Sequence, residues 1–439
     1  MTVCEDHWNT GTTMKRLIPL LILSLFTLTC GEKHDGVELQ LWNFGGTPKF
    51  IEFLRARIDT FQILNPTIRI VQSEKSWNMI REILYSNLSV GTGPDIMNVH
   101  ANYGAEFGGG GFYYAVNTFP DFEEVKSWYQ PNLIESTRYG DNYYGLPCSA
   151  IAFTLVCNKD LFDAEGIAPP KTWTEFRTAA RRLTKDIDGD GKTDQWGLVL
   201  LGGDRGGFAY RFAPFLFKAG LNILSDDLKK VEFNGPLGVA ALKLFADMHQ
   251  VDRSITPGFL AYQMSEINDL FCSNKVAMSI EGPWWRSVVN QKSPGKQFYT
   301  VPVPVPDHLI AQYETLPTLQ DMVMYAISAF SKHPQESWEF LKFLRNVDAD
   351  MHWVTEDFGG IATTTQVLNS PEAEKWEFID VYRHELARAR PWPSHPGIIN
   401  IANNVITPWC EKAIVGDISP EEAMAGAGAE AQEILDGKR

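Results

Sequence analysis

The amino-terminal third of the chain constrains the fold most, because its pattern changes from strand to helix to strand and then repeats. Residues 37–44 (VELQLWNF) alternate as a half-buried strand does, and residues 50–61 carry apolar side chains at helical spacing. A second strand is predicted over residues 68–72. The pattern continues with a helix over residues 79–88 and a strand over residues 95–99. Strand, helix, strand is the unit that builds a parallel sheet, so the sequence predicts an α/β fold.

The length and the charge of the chain limit its architecture and its partners. A chain of 439 residues exceeds what one hydrophobic core organises, so we expect two lobes with a cleft between them. The formal net charge of -15 would repel phosphate backbones, and the Lys and Arg residues are scattered. The sequence therefore predicts no nucleic-acid partner. With 13 Trp residues, some aromatic rings are expected to face a ligand.

The amino terminus has the pattern of an export signal. Met14, Lys15 and Arg16 form a positive head for the apolar run of residues 17–29, which is shorter than a bilayer span. This order favours Met14 as the initiating residue, because the residues before it include two acids where a signal peptide carries positive charge. The alternative is a membrane-anchoring helix. The protein is expected to be exported, to the periplasm or to the cell surface.

Cys30 ends the apolar run and is followed by the polar residues 31–36 (GEKHDG). This arrangement resembles a bacterial lipoprotein processing site, where the cysteine thiol receives a diacylglyceryl group. In that class a Leu and two small residues precede the cysteine, whereas residues 27–29 here are TLT. The resemblance implies that residues 1–36 comprise the signal and a lipidated tether at Cys30, which holds the protein at a membrane face.

The cysteines beyond the tether leave their pairing open. An exported chain permits disulfides, and four cysteines allow three pairings. Their spacing lacks the pairs and mixed Cys/His clusters that zinc requires. These cysteines are Cys148, Cys157, Cys272 and Cys410.

The most acidic segment, residues 185–197 (KDIDGDGKTDQWG), has part of a calcium-loop pattern. Asp186, Asp188 and Asp190 stand at alternate positions before a glycine, and Asp194 takes the ninth place. The twelfth place, where a calcium loop has Glu, is Gly197. A hydrogen-bonded turn is the favoured interpretation, with a weak calcium site as the alternative. A nucleotide loop is excluded, because the early glycine and the leading strand are absent, and no cofactor is predicted.

A longer stretch resembles a known family. Residues 155–197 (LVCNKDLFDAEGIAPPKTWTEFRTAARRLTKDIDGDGKTDQWG) are similar to a segment of the extracellular solute-binding protein family 1. This family comprises receptor subunits of sugar ABC importers related to maltose-binding protein. The resemblance covers residues 37–435. Its other motifs are residues 93–96 (GPDI), 274–278 (NKVAM), 281–284 (EGPW), 301–304 (VPVP), 326–343 and 418–424 (ISPEEAM).

The resemblance implies a periplasmic-binding-protein fold, in which two α/β lobes are assembled from discontinuous stretches. The amino-terminal lobe is expected to comprise residues 37–148 plus 327–372. The carboxyl-terminal lobe is expected to comprise residues 150–321 plus 376–439. Crossovers near residues 149–150, 322–327 and 370–375 would form the hinge. The receptor is expected to be a monomer.

Two loops of the first lobe are candidates for ligand contacts. In open α/β sheets, ligands bind beyond the carboxyl ends of the strands. The loop after the first strand contains Gly46 and Thr47, and the loop after the third strand contains His100, Asn102 and Tyr103. We predict that these five residues contact the ligand; the alternative for each loop is a surface turn.

The second lobe is expected to contribute aromatic side chains. In the family, the tryptophan after Gly-Pro stacks on the bound sugar, which implies this role for Trp284. Tyr210 and Arg211 resemble a segment that brings a second aromatic ring to the cleft. There Arg211 would donate hydrogen bonds to vicinal hydroxyls or to a carboxylate of the ligand; a surface Arg is the alternative. The proline-rich loop of residues 390–396 (RPWPSHP) and the positions just after it also supply cleft residues in the family. The implied candidates there are Trp392, His395 and Asn400; core or interlobe packing is the alternative.

The resemblance implies a receptor that captures a sugar or oligosaccharide by hinge closure and delivers it to an ABC permease in the membrane. One alternative is a receptor for a non-sugar solute, either a glycerol phosphodiester or a polyamine. A phosphate ligand favours clustered Arg residues, and a polyamine favours several acids. The other alternative is a secreted glycosidase using a carboxylate pair from Glu281, Glu314 and Asp321. No catalytic motif is present, so we predict that the protein is not an enzyme.

Overall fold

The computed structural model describes residues 36–204, 206–356 and 358–438. The predicted export signal and Cys30 lie outside these ranges. No helix within the described ranges combines the length and the apolarity that crossing a membrane requires.

Most of the strands belong to two sheets. In chain order the strands are β1 (Val37–Phe44), β2 (Ile68–Lys75), β3 (Ile96–His100), β4 (Arg138–Tyr139), β5 (Asn142–Tyr143), β6 (Leu146–Ala152), β7 (Thr154–Asn158), β8 (Trp196–Leu198), β9 (Val276–Glu281), β10 (Phe298–Val301), β11 (Leu319–Ile327) and β12 (Arg390–Pro391).

Helices connect and cover these strands. They are α1 (Pro48–Leu64), α2 (Ile80–Leu88), α3 (Phe122–Lys126), α4 (Pro131–Glu135), α5 (Lys159–Glu165), α6 (Trp173–Arg182), α7 (Gly207–Lys218), α8 (Pro236–Gln250), α9 (Met264–Cys272), α10 (Trp284–Lys292), α11 (Pro334–Arg345), α12 (Val347–Thr355), α13 (Thr365–Leu368), α14 (Ile379–Leu386), α15 (Ile398–Asn400), α16 (Thr407–Val415) and α17 (Pro420–Leu435).

The larger sheet has the strand order β12-β11-β3-β1-β2, and β6 pairs with β11. β1 runs parallel to both β2 and β3, as the repeated strand-helix-strand pattern predicted. β11 runs antiparallel to β3 and to β6. The strands β1, β2 and β3 therefore come from one stretch of the chain, residues 37–100. β11 and β12 join the same sheet from residues 319–391.

The smaller sheet has the order β10-β7-β9-β8. β7 pairs antiparallel with β9 and β10, and β8 pairs parallel with β9. β6 stays in the larger sheet through Ala152, and β7 begins in the smaller sheet at Thr154, so the chain crosses between the sheets at Phe153. The two sheets are the centres of two α/β lobes.

Local capping explains where two important helices begin. The Thr47 hydroxyl accepts a hydrogen bond from the Phe50 amide and starts α1. α6 begins with a capping box, because Thr172 accepts from the Glu175 amide while the Glu175 carboxylate accepts from the Thr172 amide. The inner face of α6 is buried, as the helical spacing of its apolar residues requires. It comprises Phe176, Ala179, Ala180 and Leu183.

A buried ion pair ties α11 and α12 to β6. Arg345 Nη2 lies 2.8 Å from Asp350 Oδ1, and the two side chains are 1% and 0% exposed. The Arg345 guanidinium also donates to the carbonyls of Pro147 and Cys148. The guanidinium therefore bridges a helix end and a central strand.

Asp350 holds a second segment at the same place. Its Oδ2 accepts hydrogen bonds from the amides of Thr363 and Thr364 and from the Thr364 hydroxyl. The carboxylate thus satisfies backbone donors that the fold buries, and its removal would leave both these donors and the Arg345 charge without a partner.

We expect Asp350→Ala to lower the free energy of unfolding by about 3–5 kcal/mol, because a buried charge loses its partner. Urea unfolding of the purified protein measures this loss. The matched control is Arg55→Ala, since Arg55 and Glu74 form an ion pair whose side chains are 65% and 51% exposed. That variant should lose about 0.2–1 kcal/mol. Equal losses in the two variants would contradict the role assigned to Asp350.

Candidate functional site

The loop after β1 is shaped by two glycines with left-handed backbone conformations. Gly45 has a φ of 65° and Gly46 a φ of 122°. A Cβ on Gly46 would lie 2.7 Å from the Phe50 ring, so only glycine fits there. The turn directs Thr47 to the start of α1, where its side chain lines a cavity described below.

His100, at the end of β3, lies among charged and aromatic groups from both lobes. Its Nδ1 is 2.7 Å from Asp321 Oδ2 on β11. Its ring is 4.7 Å from the Trp77 ring and 6.1 Å from the Tyr210 ring, between centroids. Burial alone lowers the pKa of His100, but Asp321 and, more weakly, Asp204 outweigh it and raise that pKa above 6.5.

A hydrogen bond between Asn102 and Tyr210 links the two lobes. Asn102 Nδ2, in the loop after β3, donates to the Tyr210 hydroxyl on α7 at 2.7 Å. Burial raises the pKa of Tyr210 well above 10, so the phenol stays neutral and accepts this bond. Residues 108 positions apart therefore meet where the lobes face each other.

Aromatic rings surround this hydrogen bond. Tyr210 meets Trp392 edge to face, with ring centroids 5.2 Å apart. Phe153, at the crossing between the sheets, is 6.2 Å from Tyr210 and 5.6 Å from Trp284. Tyr103 is 5% exposed, stacks on Phe107 and lies 5.8 Å from the His100 ring, between centroids.

Trp284 begins α10 and is half-buried. Its indole lies against Gly282, where a Cβ would be 2.0 Å from the ring. Gly359, from the larger-sheet lobe, faces both the Trp284 backbone and the Thr47 methyl group. Trp284 and Thr47 are thus brought to the same part of the gap. The neighbouring Trp285 is fully buried in the core.

Three predicted contact residues have other partners. Arg211 is 4% exposed, and its Nη2 lies 2.7 Å from Glu281 Oε2, so its guanidinium is used inside the lobe. His395 Nδ1 accepts from the Gly397 amide, and Asn400 Oδ1 accepts from Asn404 Nδ2. The ligand role of Arg211 stays a prediction, which its pairing with Glu281 does not favour. His395 and Asn400, like Trp284, line neither cavity described next.

Residues of this region line two cavities: Thr47 lines a large one, and Asn102 and Trp392 line a small one. The large cavity, of about 740 Å³, is bounded by the start of α1, by α10 and by the segments around residues 354–356 and 372–376. The small cavity, of about 170 Å³, is bounded by the loop after β3, the end of α4, β11 and residues 391–394. Polar and charged side chains on the large cavity are Thr47, Lys49, Arg286, Asn290, Gln291, Glu356, Glu372 and Lys375.

The charges around the large cavity nearly balance. Lys49, Arg286 and Lys375 face Glu356 and Glu372. Sequence reasoning missed these positions, because single charged residues in loops give no periodic signal. It also missed Phe153, Trp77 and Asp204. The glycine-rich GGDRGG run around Asp204, just before a helix, is a signal that would have drawn attention to it.

The three acids considered for glycosidase chemistry have separate environments. Glu281 is fully buried against Arg211, and Asp321 is paired with His100. Glu314 is exposed and lies 3.6 Å from His384. The arrangement does not present a carboxylate pair across a shared gap.

The carboxylates of the acidic loop accept hydrogen bonds from the backbone of the same loop. Asp186 accepts from the amides of Gly189 and Gly191, and Asp194 accepts from the Ile187 amide. Ligand oxygens of Asp186, Asp188 and Asp194 lie within 4.8 Å of one another.

The four cysteines of the described chain are unpaired, and Cys272 alone among them is not fully buried.

Two α/β lobes with polar and aromatic side chains meeting between them define a two-lobed solute-binding fold. The chain belongs to the family described as bacterial extracellular solute-binding protein, which matches residues 47–351.

A putative binding protein of Brucella abortus (strain 2308) is 24% identical over 94% of this chain and 97% of its own length. The maltotriose-binding protein of Pyrococcus abyssi is 19% identical, over 80% of this chain and 72% of its own length. A solved ABC transporter solute-binding protein of Thermotoga lettingae TMO, bound with α-D-tagatose, has a TM-score of 0.80 at 24% identity. That alignment covers 91% of this chain and 100% of the other.

The His100–Asp321 pair predicts a pH-dependent stability. Because the folded-state pKa of His100 is raised above 6.5, the stabilisation is complete below that value and is lost as the pH rises through the raised pKa. We expect the stability difference between the natural chain and Asp321→Asn to be larger at about pH 6 than at about pH 9. Urea unfolding across this range measures it; a constant difference would contradict the pairing.

For the acidic loop we expect the melting temperature to be the same with calcium and with a chelator, because the carboxylates already accept backbone hydrogen bonds. Differential scanning calorimetry measures this, with Asp188→Asn as the variant that removes one candidate ligand. A calcium-dependent rise that Asp188→Asn abolishes would show a calcium site instead.

Proposed function

We propose that this protein is the substrate-binding receptor of an ABC importer, which captures a sugar or oligosaccharide between its lobes and presents it to a membrane permease. Membership of the solute-binding family supports the binding role. Relatives that bind maltotriose and α-D-tagatose support a carbohydrate ligand. The chain supplies recognition and hinge closure, and it needs no catalytic group.

The observation that carries this proposal is the contact between lobes at Asn102 and Tyr210. A solute that touches groups on both lobes binds the closed conformation better than the open one. That difference in affinity is what drives the hinge. Phe153 lies where the chain crosses between the sheets, so closure would move Tyr210 and Trp284 relative to His100 and Asn102.

The side chains in the gap suit a neutral, hydroxyl-rich solute. Aromatic faces pack against the C–H groups of a sugar, and polar groups bind its hydroxyls. Trp284 and Trp392 supply rings, and Thr47, His100 and Asn102 supply polar groups. The mixed charges of the large cavity disfavour a strongly anionic or strongly cationic solute, because either would face like charges there.

The remaining parts of the proposal concern the lobes, location and assembly. We propose lobes of residues 37–148 plus 327–372 and of residues 150–321 plus 376–439, except that the ends of β6 and β11 and the short β12 pair within the larger sheet and so belong with the first lobe. The protein would be exported, tethered through a lipid on Cys30 and active as a monomer. A lipid tether would keep the receptor near its permease without a membrane-spanning helix.

We expect Trp284→Ala to weaken sugar binding by about 1 to 3 kcal/mol, because it removes a ring that stacks on the ligand. Isothermal titration calorimetry against a panel of mono- and oligosaccharides measures the affinity, and product analysis should show no turnover. Unchanged affinity would remove Trp284 from the site.

The matched control is Trp285→Phe. Trp285 is fully buried and meets Phe271 edge to face at 5.1 Å, so this change should lower the melting temperature and keep the affinity. If the folded natural protein binds no member of the panel, the carbohydrate proposal is wrong.

A further inference from the structure

The small cavity beside Trp392 has unfilled hydrogen-bonding capacity. Asn102 and Trp392 both line it, and each has one buried polar atom without a hydrogen-bond partner in the described chain. These atoms are Asn102 Oδ1, which is an acceptor, and Trp392 Nε1, which is a donor. Trp392 is 3% exposed, so its N–H has no access to bulk solvent.

Three other polar side chains of this cavity are already bonded. Gln320 Nε2 donates to Ser136 Oγ at 2.6 Å. Glu135 accepts from the Tyr143 hydroxyl, and Asp321 pairs with His100. Among the buried side-chain N and O atoms of the described lining residues, the two atoms of Asn102 and Trp392 alone have no partner.

The bond to Tyr210 orients the Asn102 amide. Because Nδ2 donates to the Tyr210 hydroxyl, the acceptor Oδ1 is left for another donor. The same Tyr210 ring packs edge to face with Trp392. Tyr210 therefore contacts both residues that carry the unpartnered groups.

An acceptor and a donor together select a particular chemistry. Buried polar groups in folded proteins are almost always hydrogen-bonded, so a ligand that satisfies both atoms gains affinity. A hydroxyl can donate to Asn102 Oδ1 and accept from Trp392 Nε1. A carboxylate or a dianionic phosphate has no proton to donate, and an ammonium group has no lone pair to accept with.

The size of the cavity limits the solute. Pockets that enclose drug-sized ligands measure about 300–1,000 Å³. The small cavity, of about 170 Å³, is below this range, whereas the large cavity, of about 740 Å³, is within it. The small cavity is suited to a single polyhydroxylated unit.

We infer that the small cavity is the specificity compartment of the receptor and that it takes one polyhydroxylated unit, a monosaccharide or sugar alcohol, through a hydroxyl bonded to Asn102 Oδ1 and Trp392 Nε1. This inference rests on the proposed function and narrows its ligand class to single-unit solutes. A single sugar unit is enough to fill this cavity, so a longer oligosaccharide is not needed.

The test compares two tryptophans with the same chemical change. Trp392→Phe removes the indole N–H from the small cavity, and Trp376→Phe removes an equally unpartnered, buried N–H from the wall of the large cavity. Calorimetry of both variants and the natural chain would use aldoses, ketoses, sugar alcohols and di- and trisaccharides. We expect Trp392→Phe to weaken binding of a single-unit solute about 2- to 12-fold and Trp376→Phe to leave it unchanged.

Deoxy derivatives of the bound solute identify the hydroxyl. On the derivative that lacks the contacted hydroxyl, Trp392→Phe should have no further effect, because the bond is already absent. A second variant, Asn102→Ala, should weaken binding more than Tyr210→Phe does, since Tyr210→Phe leaves Asn102 Oδ1 in place. The melting temperature of each variant establishes that it is folded. If Trp392→Phe does not fold, Asn102→Ala takes its place in the same comparison.

The outcomes separate the inference from the proposed function. One outcome is that Trp376→Phe weakens sugar binding and Trp392→Phe leaves it unchanged. This outcome would place the solute in the large cavity. That result overturns the inference and leaves the receptor proposal intact. If the protein binds di- or trisaccharides but no monosaccharide or sugar alcohol, the inference is likewise overturned and the receptor proposal stands. If no carbohydrate or sugar alcohol binds the folded natural chain, both fail.

Discussion

The pairing of β11 is the constraint on which the site depends. β11 lies between β3 and β6 and is antiparallel to both, and β12 joins it from still further along the chain. This register sets Asp321 beside His100 and carries the chain into the loop that contains Trp392. Without β11, the groups around the small cavity would share no common framework. The same sheet holds β3 in place, and the loop after β3 carries Asn102 to its contact with Tyr210.

Buried ion pairs fix the elements around that framework. Arg345 with Asp350, Arg211 with Glu281, and Lys218 with Glu385 are all at most 5% exposed. Taking such charges out of water is costly, so these pairs are poor sources of net stability. Their value here is geometric, because Arg345, Asp350 and Lys218 also bond to backbone groups of other segments. Lys218, for example, donates to the carbonyl of Leu316 just before β11.

Local patterns predicted the elements well and the contacts poorly. The strands and helices between residues 37 and 100 and the capped helix α6 follow from periodicity and capping residues, which act within a few positions. Arg211 shows the limit of this reasoning. The family resemblance implies that Arg211 faces the ligand, but its guanidinium is paired with Glu281, which is 70 positions away. No local pattern contains that information.

The sequence alone determined the α/β class, the family resemblance, the candidate loops after β1 and β3, and the prediction of an export signal. These depend on short-range spacing and on motifs that can be read in order. The tertiary structure alone decided that Asn102 meets Tyr210, that Asn102 and Trp392 line the same small cavity, and that Thr47 lines a larger one. The physical reason is that these contacts depend on strand register and lobe packing, which join residues separated by hundreds of positions.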